Sequence, residues 1–142
     1  MRFNIAALSA LTLALASPVV AIDGWCNTDK TVLSDSGYRV QYPALRGGGT
    51  CVMDRGAEGK GVGALQSTLN HCYDQHLDVD NDYGTLTKNA VKAAQRKIGL
   101  TGRDVDGEWG PKTAAKMDAT RGWWGWRPIA QGTERFWDCD KV

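Results

Sequence analysis

Three segments of the chain repeat apolar residues at the three- and four-residue steps that form one stripe on an amphipathic helix. These stripes predict helices over residues 61–73, 85–98 and 111–119. Their members are Val62, Leu65, Leu69 and Cys72 or Tyr73 in the first, Ala90, Val91, Ala94 and Ile98 in the second, and Ala114 and Met117 in the third. Gly99 follows the second stripe, where glycine commonly ends a helix.

The two flanks of this helical region have no helical period. Residues 38–42 alternate briefly and could form an edge strand, whereas residues 122–142 are rich in tryptophan without any regular spacing. We therefore expect a mainly α fold. It would have a compact three-helix core over residues 51–119 and irregular, disulfide-tied arms at residues 22–50 and 120–142.

A nine-residue pattern occurs twice, before the second and the third predicted helix. Residues 79–87 and 105–113 share V-D-x-(D/E)-(Y/W)-G-x-x-T at a shift of 26 residues. The Asp-Asn and Asp-Gly pairs favour turns, because Asn and Gly tolerate positive φ. Tyr83 and Trp109 are large enough to fill an apolar gap between helices. Each copy therefore predicts a turn, a core aromatic residue and a helix start, with Pro111 suited to the first helical turn.

The first 21 residues have the composition of a secretory signal peptide. Arg2 precedes a short apolar run that ends at Pro18, and Val19 and Ala21 fit the small-residue pattern before a cleavage site. The alternative is an uncleaved core helix. The run is shorter than the roughly 20 residues of a membrane span. We expect cleavage after Ala21 and a secreted protein, extracellular or associated with a cell wall, with one domain.

The charge balance argues against two classes of partner. The chain has 17 basic and 16 acidic residues, and Arg2 is the only charged residue within residues 1–21. A neutral surface is unlike that of nucleic-acid-binding proteins, which neutralise many phosphates, and no basic amphipathic stretch suits a membrane surface. We expect a monomer that binds neither nucleic acid nor membrane and needs no cofactor.

Four cysteines in an exported domain predict two disulfides. Residues 51–58 can span at most ~25 Å, and a helix over residues 61–72 is about 17 Å long. A segment that runs back along this helix would bring Cys51 beside Cys72. Cys26 would then pair with Cys139 and join the two arms.

The sequence offers a possible calcium site and a possible zinc site, but in neither do the residues stand at the spacing that the metal requires. Asp78, Asp80 and Asp82 resemble the first ligands of a calcium loop, but Tyr83 and Asn89 stand where the loop needs glycine and glutamate. A zinc site is also disfavoured. Its candidates His71 and His76 would point about 140° apart on a helix, and their neighbour Cys72 is better used in a disulfide. We expect no metal site.

The sequence contains no G-x-S-x-G elbow and no C-x-x-C pair. Its three glutamates, Glu58, Glu108 and Glu134, are expected on solvated faces. Two acids could still converge as the carboxylate pair of a glycoside hydrolase, so a weak cell-wall hydrolase stays as a minority alternative to a protein without catalytic activity.

The spacing of residues in the central region matches a known pattern. The matching residues are Gly61, Val62, Leu65, Gln66, Leu69, Asn70, Tyr73, Ala90, Val91, Gln95, Gly99 and Leu100, with residues 80–87 and 106–113. In this order and spacing, residues 51–119 resemble the three-helix peptidoglycan-binding domain of bacterial cell-wall hydrolases. The resemblance implies a three-helix fold that binds cell-wall polymer. Asn81 departs from the glycine usual in that family, and no accompanying catalytic domain fits in this chain.

Aromatic side chains are the candidate ligand contacts, because indole faces stack on sugar rings. Trp123, Trp124 and Trp126 could form a binding surface or pack the C-terminal arm on the core. Further candidates are Tyr73, Tyr83 and Trp109, the last two expected mainly in the core. We expect a secreted, non-catalytic binder of peptidoglycan or a related polysaccharide. The main alternative is an effector, toxin or inhibitor-like protein on the same scaffold.

Overall fold

A computed structural model describes residues 20–128 and 135–142. The expected signal peptide lies outside these residues except for Val20 and Ala21, and so does Glu134. The elements in chain order are β1 (Gly24–Trp25), β2 (Thr28–Leu33), β3 (Arg39–Ala44), β4 (Cys51–Val52), α1 (Lys60–Cys72), α2 (Thr85–Lys97), a 3-10 turn (Gly102–Asp104), α3 (Pro111–Ala119), β5 (Trp123–Pro128) and β6 (Arg135–Asp140). None of the helices in these two ranges is long and apolar enough to cross a membrane.

The three predicted helices form within one residue of their expected limits. Their apolar stripes face the core, and Val62, Leu65 and Leu69 of α1 are fully buried. Gly99 follows α2 at a φ of 87°, the left-handed conformation that ends helices. Pro111 is in the first turn of α3, where its missing N–H leaves no hydrogen bond unmade.

The prediction of a mainly α fold with irregular arms is wrong, because both flanks form strands. They build an antiparallel four-stranded sheet in the order β2-β3-β5-β6. β3 is therefore an inner strand and not an edge strand. Val40 of β3 lies opposite Gly125 of β5, and a Cβ on Gly125 would come within 2.8 Å of the Val40 side chain. The glycine within the tryptophan-rich segment thus allows the two strands to pair closely.

The sheet and the helices share one hydrophobic core. α1 contacts all four strands of the sheet. Trp123 of β5 is fully buried, and its ring lies 4.5 Å from that of Tyr42 and 5.8 Å from that of Trp109, measured between centroids. The Trp123 indole N–H also donates a hydrogen bond of 2.7 Å to Asp118 at the end of α3. The two flanks are therefore structural parts of the helical core.

The predicted disulfide pairing is also wrong. The bonds are Cys26–Cys51 and Cys72–Cys139. Residues 51–58 do not run back along α1, because Cys51 begins β4, which pairs in parallel with β1. That pairing brings Cys26, one residue after β1, beside Cys51. Cys72 at the end of α1 is left to meet Cys139 in β6.

Candidate functional site

A buried glutamine organises the turn in each copy of the repeat. In the first copy, Gln66 of α1 is 1% exposed. Its amide nitrogen lies within hydrogen-bond distance of the Asp80 carboxylate at 2.8 Å, the Asp82 carbonyl at 3.0 Å and the Thr87 hydroxyl at 3.1 Å. Its amide oxygen accepts the Asn81 backbone N–H at 3.1 Å. One side chain therefore ties the turn to the start of α2.

The second copy repeats this arrangement atom for atom. Gln95 of α2 is fully buried, and its nitrogen approaches Asp106 at 2.9 Å and the Glu108 carbonyl and Thr113 hydroxyl at 3.0 Å each. Its oxygen accepts the Gly107 N–H at 2.9 Å. The aspartate of each copy also accepts the N–H two residues later. The repeated aspartate and threonine are thus structural, and the two glutamines are their partners.

Asn81 and Gly107 occupy the same place in the two turns and both have positive φ, 64° and 75°. This conformation confirms the turn expected from the Asp-Asn and Asp-Gly pairs. Asn81 differs from Gly107 in carrying a side chain, whose amide reaches toward Gly63 of α1. The first copy therefore places a polar group on the surface where the second has none.

That amide faces a groove of about 380 Å³ between α1 and the sheet, a volume suited to a small ligand. We call this space the α1–sheet groove. One wall is α1, where Gly63, Ala64 and Ser67 recur at helical spacing. The lining residues are Asp29, Arg39, Gln41, Lys60, Gly63, Ala64, Ser67, Val79, Asn81, Trp124 and Trp126. Because these α1 residues have short side chains or none, the space between α1 and the indoles of Trp124 and Trp126 stays open.

The opposite wall is held by paired strands and one disulfide. Trp126 lies opposite Arg39 in the sheet, and the Arg39 guanidinium is 5.4 Å from the centroid of the Trp126 ring. Trp124 stacks on His71 with centroids 4.0 Å apart and planes at 16°. Trp124 is also opposite Cys139, which is bonded to Cys72, the neighbour of His71. The disulfide therefore fixes Trp124 against the helix.

The structure divides the six predicted contact residues into two groups. Tyr73, Tyr83, Trp109 and Trp123 are buried in the core, so their rings are not available for stacking on a ligand. The Tyr73 hydroxyl donates to the Gly122 carbonyl at 3.0 Å and the Tyr83 hydroxyl to the Gly107 carbonyl at 2.7 Å. Burial raises the pKa of both phenols above the ordinary value. Of the six, only Trp124 and Trp126 reach the α1–sheet groove.

Several groove residues were not among the predicted site residues. Arg39, Gln41 and Asp29 come from strands that helical periodicity could not reveal. Lys60 is the first residue of α1, and Asn81 lies in the turn before α2. The alternation of Arg39 and Gln41 is the one signal in the sequence that could have placed two polar groups on one face of a strand.

A second cavity of about 520 Å³ lies beside the glycine loop at residues 47–49. Tyr42 and Trp109 border it, but Trp109 is 3% exposed and both rings pack on Trp123. The Trp109 indole nitrogen is buried without a hydrogen-bond partner among the described residues. This cavity is larger than the α1–sheet groove but has no exposed indole on its wall, so it is the weaker candidate for binding sugar.

The acidic residues of the repeats make hydrogen bonds within their own turns. Among the described residues, no group of three or more His, Cys, Asp or Glu side chains is placed to hold a metal ion. The hydrogen bond from Gln66 is the main cause of the lowered pKa of the Asp80 carboxyl. Glu108 has a raised pKa because of partial burial and the nearby Asp106 and Asp54 carboxylates, but it lies outside the α1–sheet groove.

The central helices match a known protein family. Residues 58–117 match the family model described as “Putative peptidoglycan binding domain”. The resemblance is confirmed for this segment. The match supports cell-wall peptidoglycan as the general ligand, and together with the two disulfides it is consistent with an extracellular or cell-wall location. Searches of curated proteins and of solved structures found no match.

The segment that matches the family model supplies only part of the α1–sheet groove. Lys60, Ala64 and Asn81 lie inside residues 58–117, whereas Arg39, Trp124 and Trp126 lie outside them. The groove is thus formed jointly by the family segment and by the sheet that this chain adds to it.

Proposed function

We propose that the mature protein is secreted and binds peptidoglycan in the α1–sheet groove without cleaving it. The observation that carries this proposal is the position of Trp124 and Trp126, which border a groove whose other wall is α1 of the peptidoglycan-binding segment. Indole rings beside amide and hydroxyl groups are suited to amino sugars, which present apolar ring faces and polar edges.

The groove supplies both kinds of contact. Trp126 is half-buried, held by its strand pairing with Arg39. Gln41, Ser67 and Asn81 add amide and hydroxyl groups around the same space. A few polar groups placed on an otherwise apolar wall typically fix a ligand's orientation.

The absence of catalysis is part of the proposal and rests on the acids near the groove. Asp29 is the one carboxylate among the described residues that line it. Glycoside hydrolysis uses two carboxyl groups placed across the scissile bond. Glu108 faces a different, smaller cleft beside Lys112. The lining residues therefore bind and orient a glycan but do not supply an acid and base pair.

The proposal of secretion rests on residues 1–21 and on the disulfides. An apolar run follows Arg2, and Val19 and Ala21 supply the small-residue pattern before a cleavage site. Disulfides persist in oxidising compartments outside the cytosol. N-terminal sequencing of the protein recovered from a culture medium tests this part of the proposal. We expect Ile22 as the first residue, and a chain that still begins at Met1 would contradict cleavage.

Sedimentation with purified sacculi tests binding. We expect the mature protein to pellet with sacculi and Trp126→Ala to remain largely in the supernatant. Trp25→Ala is the matched control, because Trp25 is 48% exposed and does not line the groove. If the folded wild-type protein stays in the supernatant, peptidoglycan binding is wrong, and the effector or inhibitor alternative gains support.

A turbidity assay on the same sacculi tests the absence of catalysis. We expect no clearing during a long incubation with wild-type protein. Clearing that is abolished in Glu108→Gln would identify a hydrolase and overturn this part of the proposal while leaving binding intact.

A further inference from the structure

We infer, on the basis of the proposed function, that the α1–sheet groove selects an anionic ligand and pairs a carboxylate of the stem peptide with Arg39 and Lys60. Peptidoglycan carries free carboxylates on the stem peptides of its muramic acid residues, whereas chitin has a similar amino-sugar backbone without them. The groove would therefore distinguish these two polymers by charge.

The charges around the groove support an anionic ligand. Arg39 and Lys60 line it together with a single acid, Asp29. The ion pairs between described side chains use Lys88, Lys97, Lys112 and Arg121, and none of them uses Arg39 or Lys60. Two cations that lie on one groove without a salt bridge to the described part of the chain are available to a ligand carboxylate.

Arg39 lies beside Trp126, so a cation that could bind a carboxylate is next to an aromatic ring that could contact a sugar. Its guanidinium lies over the Trp126 ring, and the strand register places the two residues directly opposite each other. A guanidinium held against an aromatic ring can still donate from its edge to a carboxylate in the fork geometry that lysine lacks. A ligand that contacts Trp126 is therefore within reach of this cation.

Asn81 adds a polar group at the α1 side of the groove. Its counterpart Gly107 shows that the same turn forms without a side chain, and glycine adopts positive φ at less cost than asparagine. The Asn81 amide lines the groove, where it can hydrogen-bond an acetamido or peptide group. Asn81 thus contributes to binding at this site in general, and Asn81→Gly removes its amide without straining the backbone.

Titration calorimetry with three soluble probes tests the inference. The probes are a disaccharide-peptide from peptidoglycan with its free amine acetylated, the same acetylated molecule with its carboxyl groups also amidated, and the neutral tetramer of N-acetylglucosamine. We expect the acidic probe to bind at least roughly tenfold more tightly than either neutral probe, because charge-assisted hydrogen bonds are the stronger class. Added salt should weaken binding of the acidic probe alone.

Single substitutions test which residues cause the preference for the acidic probe. Arg39→Gln and Lys60→Gln should each lower affinity for the acidic probe by roughly tenfold, a clearly larger loss than for either neutral probe. Arg103→Gln and Lys116→Gln, which replace exposed cations outside the groove, are the matched controls. Asn81→Gly should weaken binding of all three probes without lowering the midpoint of thermal unfolding.

The outcomes separate this inference from the proposed function. Equal affinity for the acidic and neutral probes would overturn charge selection while leaving glycan binding intact. Tight binding of the acidic probe that Arg39→Gln and Lys60→Gln do not change would place the carboxylate elsewhere and overturn the assignment. Failure of the wild-type protein to bind any probe or sacculi would overturn the proposed function itself.

Discussion

The side-chain oxygen of Asn81 lies 2.1 Å from the position that a Cβ on Gly63 would take. Gly63 is a buried residue inside α1, where alanine is normally preferred over glycine by about 1 kcal/mol. The glycine at position 63 is therefore explained by Asn81, because only glycine leaves room for the Asn81 amide in this position at the groove.

This contact predicts that the effect of Gly63→Ala depends on the residue at position 81. In the wild-type background Gly63→Ala should raise the free energy of unfolding by less than the ~1 kcal/mol gained in helix propensity, because the new Cβ displaces the Asn81 amide, the end of an exposed side chain. In the Asn81→Gly background we expect the full gain, because the blocking oxygen is gone. Urea unfolding of the four proteins measures the coupling. Additive effects would show that Asn81 does not determine the residue at position 63.

Because Gln66 and Gln95 make the same contacts, replacing either one should destabilise the protein to a similar extent. Gln66→Leu and Gln95→Leu should each reduce the free energy of unfolding by roughly 1–3 kcal/mol, because each leaves the backbone N–H of Asn81 or Gly107 without its acceptor and removes the amide contacts to the turn. Gln75→Leu is the matched control, since Gln75 donates one local bond to the Tyr73 carbonyl. Denaturant unfolding measures all three. A loss no larger than that of the control would show that the glutamine networks do not hold the turns.

The helices and the turns were predictable because their signals are local. The stripe of Val62, Leu65 and Leu69 and the repeated turn dipeptides each lie within a few residues of what they determine. The sheet was not predictable in this way, since Val40 pairs with Gly125 from the other end of the chain. The sequence of β5 also lacks the alternation of apolar and polar residues that would predict a strand. Trp123 faces the core and Trp124 the groove, so both faces of the strand carry indoles.

The same distinction explains the site and the disulfides. Trp124 and Trp126 could be named as candidates from their chemistry, but their separation from buried Trp123 depends on strand orientation. The disulfide argument failed because it treated residues 51–58 as free to run along α1, whereas β4 pairs with β1. Periodicity within one segment carries no information about such pairing between distant segments.

The observed pairing predicts the effect of removing each disulfide. Replacing Cys72 and Cys139 together by alanine should cost about 4 kcal/mol, and replacing Cys26 and Cys51 about 3.5 kcal/mol, in the chain-entropy description. The first pair should also weaken sacculus binding, because Trp124 lies opposite Cys139. Mass spectrometry of peptides from a non-reducing digest checks the pairing. Recovery of Cys51 linked to Cys72 would contradict the structure.

Asp118 predicts a pH dependence of stability. Burial raises the pKa of its carboxyl above the ordinary value, although the Trp123 N–H and the Tyr42 hydroxyl donate to it and act in the opposite direction. A carboxyl whose pKa is raised on folding binds its proton more tightly in the folded state. Its contribution to stability is therefore fully present below the unfolded pKa and is lost as the pH rises through the folded pKa.

Asp118→Asn isolates this contribution, because asparagine keeps an oxygen that can accept the Trp123 N–H but does not ionise. We expect the free energy of unfolding of the wild-type protein to fall relative to that of Asp118→Asn as the pH rises from below the ordinary aspartate pKa toward neutrality. Urea unfolding of both proteins across this range measures the difference, in which other titrating groups cancel. A difference that stays constant, or one that rises with pH, would contradict a raised pKa and would indicate that the carboxylate is stabilised by its two donors more than burial destabilises it.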